Sequence, residues 1–201
     1  MSKRIVLWVL LFGIICLMSP VYPSATVQER ESLKEETNVD SSRTVRIYCI
    51  DTKDAGNVLE DTWIPAEYQK YCWKIGQQYN LNPYLLIAMI EAESSGNAAA
   101  INGDGDSGLM QINRKWHEER IEKLGVKELT DPYSNILVAA DYFSELLEEN
   151  DHNMPLALMK YNMDHEQAEI LMDQGICSKY AEKVIARMWE LQLLHRKEDV
   201  E

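Results

Sequence analysis

The chain has 201 residues, 46% of them apolar, enough to bury the core of one ordinary domain and leave segments over. Its 33 acidic and 20 basic side chains give a formal net charge of −13. That balance excludes nucleic acid and anionic lipid surfaces as main partners, because both are held through clustered Lys and Arg; acidity of this size keeps a protein soluble.

The N-terminus opens with Lys3 and Arg4, followed by an uncharged apolar run over residues 5–18. The run is short for a bilayer span of about 20 residues and suits the core of a signal peptide. Cleavage after Ala25 would put Pro23 where a small residue is wanted. Residues 1–25 are therefore a cleaved signal peptide or a retained membrane anchor, and membrane attachment through residues 5–18 follows from the second case. Both place the remainder outside the cytoplasm, secreted or membrane-anchored. Cys16 follows Gly13-Ile14-Ile15, which is not a lipoprotein box. Cys49, Cys72 and Cys177 allow one disulfide plus a thiol, or three thiols.

Residues 26–61 read as a linker and lead-in, polar and without lasting periodicity, although residues 44–50 (TVRIYCI) alternate weakly as a short strand would. From Trp63 the pattern becomes helical. Pro65 fits a first helical turn, with Tyr68, Cys72, Ile75 and Tyr79 at helical spacing. Asn82-Pro83 forms an N-cap and first-turn pair for a helix through Leu85, which Gly96 stops. Asp131-Pro132 starts another, with Ile136, Ala140, Phe143 and Leu147 on one face. Residues 155–163 form a short apolar helix. Ser178 caps a last one carrying Tyr180, Val184, Met188 and Leu191. The expected fold is a mainly α domain over residues 62–201.

One stretch, LLIAMIEAESSGNAAAINGDGDSGLMQIN, asks for a chemical explanation. An apolar helix ends in two carboxylates, Glu91 and Glu93, and buried carboxylates are rare unless paired or employed. At 3.6 residues per turn Glu93 lies within about 20° of Leu86, while Glu91 is rotated from it by about 160°. The two acids cannot share a job. On a buried helix Glu93 would have the apolar setting, which raises a carboxyl pKa by disfavouring the ionised form. A carboxyl protonated near neutral pH is what general-acid cleavage of a glycosidic bond requires.

Glu93-Ser94, Gly108-Leu109-Met110-Gln111, Asp131-Pro132 with Asn135-Ile136 and Tyr142, Tyr161-Asn162 and Tyr180 together resemble the soluble lytic transglycosylase (SLT) domain family, in order and in spacing. The resemblance runs from about Trp63 to the end. It implies a lysozyme-like α domain that cleaves the β-1,4 bond between N-acetylmuramic acid and N-acetylglucosamine in peptidoglycan, leaving 1,6-anhydro ends. By position it implies Glu93 as the single catalytic acid/base and Ser94 beside it. Gly108 would let the backbone approach the sugar. Met110 and Gln111 would line the cleft, with the Gln amide free for substrate. Tyr161 would orient Glu93, Asn162 brace the fold, and Tyr180 close the cleft. Ala98, Ala139 and Met163-Asp164 depart from the family's usual Pro, Gly and Ala-Gly; the last bears on the cleft rim. Such domains serve wall remodelling, passage of a secretion or conjugation apparatus, and phage entry.

Other readings are weaker. Asp104 or Asp106 as a second carboxylate would make a hydrolytic muramidase. Asn102, Asp104 and Asp106 begin like a calcium loop, but Ser107 and Asn113 stand where Gly and Glu are needed. His117-Glu118 begins like a zinc-protease motif, but Ile121 stands in place of the second His. No metal or cofactor is expected. A wall-binding module without activity is the non-enzymatic alternative.

Overall fold

A computed structural model describes residues 58–198. The export segment, Cys16, Cys49, residues 44–50 and most of the linker lie outside them. Among the described residues no helix is long and apolar enough to cross a membrane.

Helix α1 (Ala66–Tyr79) follows Pro65 and buries Gln69, Cys72 and Ile75. The Gln69 amide is spent on the lead-in: it accepts from the Leu59 N–H (2.7 Å) and donates to the Ile64 carbonyl (2.8 Å). Helix α2 (Pro83–Ser94) starts at Asn82, whose side chain accepts from the Tyr84 N–H at 3.0 Å, with Pro83 supplying a first position that needs no donor. It ends with Ser95 in the left-handed region at φ 54° and Gly96 after it at φ 80°. Residues 85–91 of α2 are all buried, as a helix apolar on every side must be. Glu91 lies within that buried stretch and Glu93 just beyond it, so the two acids are told apart by their partners as well as by their directions.

The loop after α2 contains a two-residue antiparallel pair that the sequence reading missed, β1 (Asp106–Ser107) and β2 (Ile112–Asn113), with Asp106 opposite Asn113. Amide side chains hold it: Asn113 Nδ2 donates to Asp106 Oδ1 (2.8 Å) and Asn102 Nδ2 to Asp106 Oδ2 (2.6 Å). Helix α3 (Glu118–Lys123) was also unexpected; it buries only Ile121 and is tied to the next helix through Arg120, which pairs with Asp141 and Glu145.

Helix α4 (Pro132–Glu149) is capped by Asp131, which accepts from the Ser134 N–H at 2.8 Å, and buries Ile136, Ala140 and Phe143 as anticipated. Helix α5 (Met154–Asn162) is capped by Asn153. Helix α6 (His165–Asp173) was not expected: Asp164 caps it by accepting from the Gln167 N–H at 3.0 Å, and Lys160 of α5 pairs with Glu169 at 2.5 Å. Asp164, read as a departure at the cleft rim, is thus a helix cap. Helix α7 (Lys179–Glu198) begins after Ser178, which accepts from the Ala181 N–H at 3.2 Å, and buries Val184, Met188 and Leu191. Helix α2 packs against α1 and α7, α4 against α1 and α5, and α5 against α7 and α6, around one core.

Candidate active site

The last turn of α2 and the first turn of α7 meet at Glu93. The Tyr180 hydroxyl donates to Glu93 Oε1 at 2.5 Å. Glu93 is partly buried, and its pKa is raised to about 7, first of all by desolvation. Asp106 adds to the rise, while the Tyr180 hydrogen bond and the charge of Lys183 act against it. Burial and the neighbouring carboxylate push the Tyr180 hydroxyl well up, so it remains a donor throughout the physiological range.

The hydroxyl expected on Glu93 from Tyr161 comes instead from Tyr180. The Tyr161 ring lies 5.5 Å from Tyr142 and 6.1 Å from Phe143, and its hydroxyl donates to the Met110 carbonyl at 2.8 Å. Tyr161 is near enough to feel the Glu93 charge, but the hydroxyl on the carboxylate is that of Tyr180. Spacing along the chain carries no information about which of two phenols from different helices ends nearest the acid.

Gly108 sits at φ +78°, and a Cβ there would come within 2.3 Å of the Leu129 carbonyl oxygen and 2.4 Å of Asn135 Nδ2. Packing beneath the loop therefore demands glycine there on its own account. The partner is Asn135, fully buried on α4, which accepts from the Met110 N–H (2.7 Å) and donates to the carbonyls of Ser107 (2.8 Å) and Leu129 (2.9 Å). Met110 has no exposed surface, so it belongs to the core and does not line a cleft. Gln111 is partly buried at φ 47°; its amide nitrogen donates to the Gly108 carbonyl at 3.0 Å and the Ala100 carbonyl at 3.5 Å, which leaves the amide oxygen as what it can offer a ligand. The Ser94 hydroxyl turns back onto its own helix, at 3.4 Å from the Ile90 carbonyl. Asn162 is exposed at the end of α5.

Asp106 faces Glu93 closely enough to raise its pKa, yet both Asp106 oxygens accept side-chain amides from Asn102 and Asn113. Asp104 is exposed, and the side-chain Oδ1 of Asn102 accepts from the backbone N–H groups of Asp104 and Asp106. His117 packs on Tyr142 with ring centroids 4.4 Å apart, and burial, with Arg120 nearby, lowers its pKa to about 4.

The sequence offers no role for Glu91. It is 6% exposed and takes a two-point contact from Arg187, Nε to Oε2 at 2.7 Å and Nη2 to Oε1 at 3.1 Å, while Thr62 donates to Oε1 at 2.5 Å. The available signal was Arg187 itself, seven residues beyond Tyr180 and so on the same stripe of α7.

Residues 70–169 match the family described as Transglycosylase SLT domain. The chain is 34% identical over 93 residues to Protein IpgF of Shigella flexneri, covering 42% of this chain and 60% of that one. It is 35% identical over 91 residues to a transglycosylase of Enterobacteria phage PRD1, covering 45% and 32%. It is 34% identical over 105 residues to an endo-type membrane-bound lytic murein transglycosylase A of Klebsiella pneumoniae, covering 49% and 47%. The matched regions thus span 60% or less of these curated relatives. Among solved structures, the lytic transglycosylase Slt of Pseudomonas aeruginosa, in an inactive mutant form, superposes with a TM-score of 0.57 at 19% identity over 68% of this chain and 25% of that one. The 70 kDa soluble lytic transglycosylase of Escherichia coli gives 0.54 at 18% over 62% and 24%. At these identities the two structures speak for the fold.

Proposed function

Since the chain belongs to the Transglycosylase SLT domain family, we propose that it is a lytic transglycosylase acting on peptidoglycan outside the cytoplasm, cleaving the bond between N-acetylmuramic acid and N-acetylglucosamine with Glu93 as its single acid/base. The observation that carries this is a carboxyl at the end of a buried helix whose pKa is raised to about 7 by desolvation, which keeps an acid proton available where it is needed.

Tyr180 donates to Oε1 of Glu93, so the proton resides on Oε2. From there it passes to the leaving glycosidic oxygen as the bond to C1 of the muramic acid breaks. The substrate's own acetamido group steadies the oxocarbenium-like centre. Glu93, now ionised, takes the proton of the sugar 6-hydroxyl, whose oxygen bonds to C1 and closes the 1,6-anhydro ring. No water is consumed, and an attacking group already held in the substrate outcompetes bulk water. Ordinary glycosidases use two carboxyl groups. The engagement of both Asp106 oxygens by Asn102 and Asn113 favours the single-acid route over a hydrolytic muramidase.

Turbidity of purified peptidoglycan tests the reading. The wild-type domain should clear it, and Glu93→Gln should slow clearing by on the order of 10²–10⁴, the usual worth of a general acid. Binding without clearing by the wild type would support the wall-binding module, and full activity in Glu93→Gln would move the chemistry elsewhere.

A further inference from the structure

Both acids at the end of α2 are gripped by α7. Glu93 accepts from Tyr180 on the first turn of α7, and Glu91, directed about 160° away around the α2 axis, is clasped by Arg187. Tyr180 and Arg187 stand seven residues apart on α7, two turns and about 10 Å of rise. Helix α7 therefore crosses the end of α2 and holds it from both sides, with a hydroxyl on one and a guanidinium on the other. The second clasp also closes over the lead-in. Arg187 Nη2 donates to the Asp61 carbonyl at 2.5 Å, Nη1 reaches Glu190 at 2.8 Å, and Thr62 completes the shell of Glu91 at 2.5 Å. A buried ion pair is a poor way to add stability, since well-packed apolar residues do as well or better. What a two-point Arg–carboxylate contact adds is a defined distance and rotation between the elements that carry it.

We propose that the Glu91–Arg187 pair is the positioning element of the Glu93 site: it sets the register of α7 on α2 and so holds the Tyr180 hydroxyl on Glu93. The proposal rests on the reading of Glu93 as the acid. Glu91 and Arg187 act through Tyr180 and are positioning residues. A merely structural clamp would change the fraction of folded protein and leave the ionisation of Glu93 where it is. A positioning clamp changes that ionisation, because donation from Tyr180 favours the carboxylate form. The other groups facing Glu93 are Asp106, Lys183 and Tyr161, and all remain in place in the variants below.

The experiment is a carboxyl carbon NMR titration of Glu93, with a pH–rate profile on purified peptidoglycan beside it, for the full chain. The variants are Tyr180→Phe, Arg187→Lys, and the double variant Glu91→Gln with Arg187→Gln, which strands no buried charge. Tyr180→Phe should raise the Glu93 midpoint by about one pH unit or more, the worth of a hydrogen bond to a charged group. The double variant should raise it in the same direction by at least half as much. Added to Tyr180→Phe it should add nothing, since both changes act through one hydroxyl. Arg187→Lys keeps the charge without the fork and should give a smaller rise; it carries the test if the double variant does not fold. A midpoint that stays at the wild-type value in these folded clamp variants, while Tyr180→Phe moves it, overturns the proposal. A midpoint unmoved in Tyr180→Phe overturns it at its premise. Failure of the reading itself is seen separately, as full wall cleavage by Glu93→Gln, because the titration requires no activity.

Discussion

Glu93 carries a charge that the fold disfavours. Its folded pKa of about 7 lies above the ordinary carboxyl value of 4.5, so between those two pH values the folded state binds more protons than the unfolded one. Stability must then fall as pH rises through that window and level off above it. Glu93→Gln removes the titration while keeping an oxygen that can accept from Tyr180. We predict that this variant is more stable than the wild type by about 1–3 kcal/mol above pH 7, with the difference vanishing below pH 4.5. Thermal unfolding across pH checks it, and a constant difference at every pH would show that the carboxyl is not desolvated. The same group sets the activity profile. A general acid works while protonated, so the rate should fall on the alkaline side with a midpoint near pH 7, and that limb should be absent from the residual activity of Glu93→Gln. Glu93 was legible in the sequence because an acid at the end of an apolar helix is conspicuous. The identity of its phenol partner was not, because Tyr161 and Tyr180 come from different helices and only packing decides which hydroxyl reaches the carboxylate.

Helices with caps and long apolar stripes were readable. Asn82-Pro83 and Asp131-Pro132 each place a side-chain acceptor before a proline that needs no donor, and both start helices where expected. Helices α3 and α6 were not readable. Each buries a single residue, Ile121 or Ala168, so neither shows a periodic face, and both are tied by ion pairs from neighbouring helices. The β1–β2 pair was hidden for a similar reason: two residues have no period, and side-chain amides hold the loop. The motif around Gly108 was visible, but the packing that demands glycine there was not, because the partner that forbids a Cβ lies 27 positions away, at Asn135. Two predictions follow from that contact. Gly108→Ala should destabilise by about 2–4 kcal/mol, from the forced displacement of backbone and the left-handed strain. Asn135→Ala should cost a similar amount, since it strands the Met110 N–H, the buried Leu129 carbonyl and the partly buried Ser107 carbonyl. Urea unfolding measures both, and losses under 1 kcal/mol would mean the loop is free to rearrange.

At the scale of the molecule, seven helices among the described residues enclose one core, and the site lies where α2 and α7 meet the β1–β2 loop. Export is the expectation set by the basic, apolar opening of the chain, and it can be tested in cells. Protease added to wall-stripped cells should digest the domain, or a processed form should be found in the medium; a full-length chain protected inside intact cells would contradict export. The central claim, cleavage by one acid with the substrate as its own nucleophile, is tested most directly by the products. Peptidoglycan digested in heavy-oxygen water, reduced with borohydride and weighed by mass spectrometry should yield muropeptides that resist reduction, lack one water relative to hydrolytic products, and carry no heavy oxygen at the new end. Predominantly reducible ends that have taken up solvent oxygen would contradict the account and make Asp104 or Asp106 the suspected second carboxylate.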